Sequence, residues 1–187
     1  MTNLNRVAGG NELLDPVYLL KDVLQMSYGA KAADLGCGSM GFFVLQSAKL
    51  VGDKGLVYAV DVLKDVLSSV EGRARQEGLY NVKTVWSNLE IVGATKIPES
   101  SLDYALLVNT LFQTTKHQEV LKEAYRLLKI GGRLLVVDWQ TGAGPIGPRK
   151  EMRLEPAMVK SLAQAISFQL IQEFVAGKNH YGLIFQK

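Results

Sequence analysis

Residues 32–41 read Ala-Ala-Asp-Leu-Gly-Cys-Gly-Ser-Met-Gly, and the fold turns on how this stretch is taken. An apolar run ends in an acid, Asp34, and breaks into a turn carrying Gly36, Gly38 and Gly41 before a helix expected from Phe42. Glycines at these positions let the backbone take positive φ and let a ligand reach the main chain with no Cβ between. The spacing satisfies G-x-G-x-x-G, which points to a nucleotide-type βαβ unit. A second acid, Asp61, lies 20 residues beyond Gly41, where a carboxylate can accept hydrogen bonds from ribose hydroxyls. This pair does not separate NAD from other adenosyl ligands, and a turn that merely closes a βαβ unit is the plain alternative.

Outward from the turn, strands and helices alternate. Leu56 to Val62 is a nearly uninterrupted apolar run, as expected of a parallel strand covered on both faces. Leu63, Val66, Leu67, Val70 and Ala74 follow at helical spacing up to Gly78. Val82 to Trp86 and Leu102 to Val108 read as strands three and four, with an irregular loop, Asn88 to Ser101, between them. Thr115 with Gln118 reads as a capping box for a helix striped by Val120, Leu121, Ala124, Leu127 and Leu128, ended by Gly131-Gly132. Arg133 to Asp138 is a fifth strand, Gln140 to Lys150 a glycine- and proline-rich loop, and Glu155-Pro156 the start of a last helix. Phe168 to Val175 and Tyr181 to Phe185 are spaced to pair antiparallel. Upstream, Asp15-Pro16 reads as the start of a helix with Val17, Leu20, Val23 and Leu24 on its apolar face, expected to pack beside the turn. Alternating elements of this kind imply an α/β parallel sheet.

With 187 residues, nearly half of them apolar, the chain is expected to form one domain over residues 1–187, with an N-terminal helical segment at 1–28 and a core at 30–187. The net charge of +3 is scattered rather than gathered into a run, which gives little reason to expect a nucleic-acid partner. One cysteine, Cys37, excludes an internal disulfide and suits a reducing compartment; it reads as a small residue tolerated in a tight turn. Charged residues such as Arg6, Glu12 and Lys21 interrupt the first thirty positions, so neither a signal-peptide block nor a membrane span is expected, and a cytoplasmic location follows. Two histidines and one cysteine, none at ligand spacing, give no reason to expect a bound metal.

Four blocks then carry a resemblance: AADLGCGSMG from Ala32, LVYAVDV from Leu56, SLDYALLVNTLFQ from Ser101 and EAYRLLKIGGRLLVVDW from Glu123. From about Asp15 onward the chain resembles the class I S-adenosylmethionine-dependent methyltransferases, in particular the ubiquinone and menaquinone biosynthesis group. The resemblance implies a Rossmann-like α/β fold: a seven-stranded, mostly parallel sheet with helices on both faces and the last strand antiparallel. It also implies S-adenosylmethionine as cofactor, S-adenosylhomocysteine as product, and a cofactor set of Asp34, Gly36, Cys37, Gly38, Asp61, Val62, Asn88, Leu89 and Asn109. In that set Asp34 answers the methionine ammonium and Asp61 the ribose hydroxyls. Asn88 takes the place of the family's usual acid at the adenine amino group, with Leu89 offering a backbone N–H; Met40 stands where many relatives have glycine.

Methyl transfer from a sulfonium requires mainly that the acceptor be aligned within about 3 Å and relieved of a proton where it carries one. No fixed catalytic residue is implied, and Asn109, Asp138 and His180 are the candidates. Asn109 opens N-T-L-F rather than an N-P-P-Y type motif, which argues against a nucleic-acid base amine. Leu111, Phe112 and Trp139 suit either an apolar metabolite or the core. His117 reads as solvent-exposed, and Arg149, Lys150 and Arg153 read as solvated surface, with an anion site as the alternative. The leading reading is methylation of a small molecule. The alternatives are a protein or RNA methyltransferase, a non-catalytic S-adenosylmethionine-binding accessory protein, and an NAD-dependent oxidoreductase, which Asp34 before the turn does not favour.

Overall fold

A computed structural model describes residues 14–142 and 146–187. The part of the expected N-terminal segment before residue 14, with Arg6 and Glu12, lies outside the described residues. Seven strands form one sheet in the order β3-β2-β1-β4-β5-β7-β6, with β1 Lys31–Leu35, β2 Leu56–Asp61, β3 Val82–Trp86, β4 Leu102–Val108, β5 Leu128–Trp139, β6 Gln169–Gly177 and β7 His180–Gln186. The first five are parallel, and β7 runs antiparallel to both β5 and β6. The expected topology is therefore present. It reverses direction between β1 and β4, where open α/β sheets leave a crevice at the carboxyl ends of the strands.

Two apolar layers cover the sheet. On one face α3 (His117–Leu127) and α4 (Pro156–Gln164) bury Leu121, Ala124, Val159 and Ala163 against Leu107, Val136 and Phe185. On the other, α1 (Phe42–Val51), α2 (Lys64–Gln76) and the opening helix bury Val44, Ala48, Val70, Leu19 and Leu20 against Ala32, Val57 and Leu135. Burying a leucine in such a layer stabilises by roughly 1.5–3 kcal/mol.

Three expectations change. The opening helix Tyr18–Val23 has π-type hydrogen bonds, as in Leu24 N–H to the Leu19 carbonyl at 2.9 Å. That wider winding rotates the buried face to Leu19, Leu20 and Leu24 and leaves Val17 exposed. Its start shares an apolar cluster with Cys37, while its end turns toward the amino edge of the sheet, where the Leu24 and Gln25 carbonyls accept from Arg133 and Tyr104. The capping box does not form: Thr114, not Thr115, accepts the Lys116 N–H at 2.9 Å. Finally, α3 stops at Leu127, because Leu128 already pairs with Leu102. Gly131-Gly132 lie inside β5, where a register shift brings Lys129 and Leu102 carbonyls to 2.9 and 3.0 Å of any Cβ on Gly132.

Candidate functional site

The turn residues are held from β2 and β4. The N–H groups of Gly36 and Cys37 both donate to the Val60 carbonyl, at 2.8 and 3.0 Å, and the Gly38 N–H donates to Asp61 at 3.3 Å. Gly36 has φ +90°, and a Cβ there would lie 2.8 Å from the Thr110 side chain, whose hydroxyl donates to the Leu35 carbonyl. Thr110 therefore braces the β1 turn from the end of β4. Gly38 differs: with φ +63° its missing Cβ points into open space, so the backbone is bare toward the crevice. Gly41, also in the left-handed region, is the N-cap of α1, so the turn enters its helix despite Met40. Met40 is itself partly exposed, with its sulfur accepting from Arg73 at 3.3 Å.

Around that bare backbone stand two carboxylates. Asp34 ends β1 and is 2% exposed; burial first, and the Asp61 charge second, raise its carboxyl to about 7. No basic side chain comes within ion-pair distance of it among the described residues. Asp61 ends β2 and accepts the N–H groups of Gly38 and Leu63. Val62 beside it is exposed, and the Cys37 thiol is buried, its ionisation pushed up by burial and then by Asp34 and Asp61. At the end of β3, Asn88 is exposed, its Oδ1 accepting the Glu90 N–H at 2.9 Å, while Leu89 is buried. Asn109, immediately after β4, has φ +54° and a buried Oδ1 with no hydrogen-bond partner among the described residues. A non-glycine residue in that conformation beside an orphaned acceptor marks a position shaped for something other than packing.

The three acceptor-side candidates lie at the same edge. Asp138 is fully buried and caps the turn after β4, accepting the Phe112 N–H at 3.2 Å; burial raises it to about 6 against its backbone hydrogen bonds. His180 pairs in register with Trp139, and the two rings pack tilted at 42° with centroids 4.2 Å apart. Neither of its ring nitrogens has a hydrogen-bond partner among the described residues, and burial, then the Arg153 charge, lower its pKa to about 4, so it is neutral at neutral pH. The Tyr181 hydroxyl is likewise buried without a partner. Arg153 corrects the reading of a solvated cluster: it is buried and donates to the carbonyls of Gln140, Ile146 and Pro148, drawing the loop over Trp139. Leu111 and Trp139 belong to the packed interior, Phe112 is half-buried, and His117 is half-buried rather than exposed.

A separate cleft of about 360 Å³ opens at the opposite edge, lined by Gln25, Ser27, Tyr104, Lys129 and Arg133 among others. Its polar groups already serve one another, with Lys129 on Asp103, Arg133 on the Leu24 carbonyl and Tyr104 on the Gln25 carbonyl. The carboxyl-edge crevice has the unpaired carboxylate, bare backbone and orphaned acceptor that a cationic nucleoside requires. It is the candidate site.

A single reversed strand, the last, in an otherwise parallel seven-stranded sheet, with acids at the ends of β1 and β2 around a glycine turn, defines the class I methyltransferase fold, in which S-adenosylmethionine is the methyl donor. A solved S-adenosylmethionine-dependent methyltransferase from Aquifex aeolicus superposes with a TM-score of 0.85 at 25% identity, over 93% of this chain and 90% of that one. Within the class, a family model of the ubiE/COQ5 methyltransferase family matches residues 18–146, and the chain belongs to that family. It is similar to the demethylmenaquinone methyltransferases of Geobacillus sp. (strain WCH70), 30% identical over 115 residues, and of Geobacillus stearothermophilus, 32% identical over 115. Those matches cover 62% and 60% of this chain and 47% of each relative, so the chain spans about half the length of the curated relatives it matches. Among the described residues, no helix is long and apolar enough to cross a membrane.

Proposed function

We propose that the protein transfers the methyl group of S-adenosylmethionine to a small-molecule acceptor. The observation that carries this reading is Asp34: a buried carboxyl raised to about 7, with no basic side chain within ion-pair distance among the described residues, at the head of a turn whose Gly38 backbone is bare. A cationic ligand there lowers the cost of ionising Asp34, and the carboxylate in turn holds the methionine ammonium. Asp61 holds the ribose hydroxyls with the lone pairs left free by Gly38 and Leu63. Asn88 accepts the adenine amino hydrogen, Leu89 offers its N–H, Val62 lies against the adenosine, and Gly36, Cys37 and Gly38 form the wall. Asn109, whose buried Oδ1 has no hydrogen-bond partner among the described residues, is the further candidate acceptor for cofactor or substrate.

The bound sulfonium supplies an activated methyl group, so the chain's own work is to orient the acceptor and exclude water. Asp138 and His180 are the proton-accepting groups closest to the acceptor end. His180 is neutral at pH 7, so one of its two ring nitrogens, neither hydrogen-bonded among the described residues, carries the lone pair that accepts a proton. A small acceptor is supported by the family and by the relatives named for demethylmenaquinone. Phe112, half-buried just after β4, offers an apolar side chain at that edge.

Incubation with methyl-labelled S-adenosylmethionine and fractionated cell extract tests this reading. Label is expected in the small-molecule fraction; label confined to protein or RNA, or none in any fraction, overturns it.

A further inference from the structure

The loop after β3 has no regular structure, yet it is pinned from α3. Glu123 is fully buried, and its two carboxylate oxygens accept the Gly93 N–H at 2.7 Å and the Thr95 N–H at 3.0 Å. Arg126 grips the same carboxylate in a bidentate pair, Nε to Oε2 and Nη2 to Oε1, both at 2.8 Å, and Nη2 also donates to the Thr95 carbonyl. Burial opposes ionisation of Glu123, but the Arg126 hydrogen bonds and the two loop N–H groups outweigh it and hold the carboxyl at about 2.

The pinned residues lead directly to Asn88-Leu89. Ser87 and Thr95 hydroxyls meet at 3.0 Å and close the loop at its base. Inside it, the Ala94 N–H donates to the Ile91 carbonyl and the Ile91 N–H to the Asn88 carbonyl, two linked turns that transmit the position of Gly93 and Thr95 to Asn88. On the far side Glu90 accepts the Thr114 hydroxyl at 2.6 Å, and the Glu90 N–H donates to one lone pair of the Asn88 Oδ1 at 2.9 Å. Stability alone gives little reason for this design, because a packed apolar pair in place of a buried ion pair is often as stable or more so. A charge-assisted bidentate pair does hold direction, which apolar packing does not.

We propose that Glu123, oriented by Arg126, is a positioning residue that sets the Asn88-Leu89 ledge and thereby the selectivity for a 6-amino purine on the methyl donor. The inference rests on the reading above that Asn88 meets the adenine amino group. The Leu89 N–H on that ledge meets the acceptor N1 of a 6-amino purine but the N1–H donor of a 6-oxo purine, so a 6-oxo purine is disfavoured.

The test compares the affinities of S-adenosylhomocysteine and S-inosylhomocysteine by calorimetry, for the wild type, Glu123→Gln and Arg126→Lys. The wild type is expected to prefer the adenosyl ligand at least tenfold. Glu123→Gln brings the ratio toward one, and Arg126→Lys, which keeps the charge but loses the fork, gives an intermediate ratio. General destabilisation lowers both affinities together and does not move the ratio. Should Glu123→Gln not fold, the Arg126→Lys ratio decides. An unchanged ratio in a folded variant overturns the role of Glu123, as does a wild type indifferent to the base. A wild type that binds neither ligand overturns the cofactor reading itself.

Discussion

Replacing Asp34 by Asn separates two effects of one carboxyl. Its value in the folded chain is about 7 against an ordinary 3.8, so between those pH values the native state keeps a proton that the unfolded chain has released. Stability from this group is complete below about pH 3.8, falls as pH rises through the window, and above 7 the full cost of a buried charge is present. Asp34→Asn removes that cost. At pH 8 without ligand the variant is expected to be more stable by on the order of 1–3 kcal/mol, read as a higher Tm, while binding S-adenosylmethionine at least about tenfold more weakly. A variant that melts lower and binds unchanged contradicts both halves. Asp61→Ala is expected to weaken the same binding by on the order of 1–3 kcal/mol, measured by titration. The glycines divide similarly. Gly36→Ala meets Thr110 and is strained, so thermal unfolding should show a loss of about 2 kcal/mol or more; Gly38→Ala has room but still takes a left-handed φ, so it should fold with a smaller loss of about 1 kcal/mol and lose cofactor affinity as well.

At the scale of elements, the entry to α3 gives a clean contrast. Thr114→Ala removes the acceptor for the Lys116 N–H and the donor to Glu90, and should cost about 1 kcal/mol by thermal unfolding, whereas Thr115→Ala should be near neutral. A larger loss at Thr115 would contradict the observed cap. The two adjacent threonines also show where sequence reading stops: threonine three residues before Gln118 satisfies a pattern, but the chain enters the helix one residue later than the pattern requires. Glu123 was legible in part, since it stands within the stripe of Val120, Ala124 and Leu127, where an unpaired acid does not belong. Its partner Arg126 stands three residues on, but its loop partners were not legible, because Gly93 and Thr95 lie about thirty residues away in a loop without periodicity. Arg153 misled for the same reason: three loop carbonyls that converge on one guanidinium leave no mark on composition.

For the whole molecule, the five parallel strands and the final hairpin were readable because period, length and glycine or proline boundaries agree along the chain, and burial enforces each strand's register. Asp34, Asp61, Asn109 and Asp138 were readable as a group because each ends a strand, and a parallel sheet gathers strand ends at one edge. His180 joins them because β7 runs the other way, so that its beginning meets the end of β5 at Trp139. Thr110 was not readable as a brace, since only the folded β1–β4 neighbourhood places it over Gly36. The claim that unites these features is that the edge they form receives S-adenosylmethionine. Calorimetric titration of the purified chain with S-adenosylmethionine, S-adenosylhomocysteine and NAD tests it most directly. Saturable binding of the first two, weakened by Asp61→Ala, and no binding of NAD is the expected result; binding of NAD with neither adenosyl sulfur compound bound would contradict it.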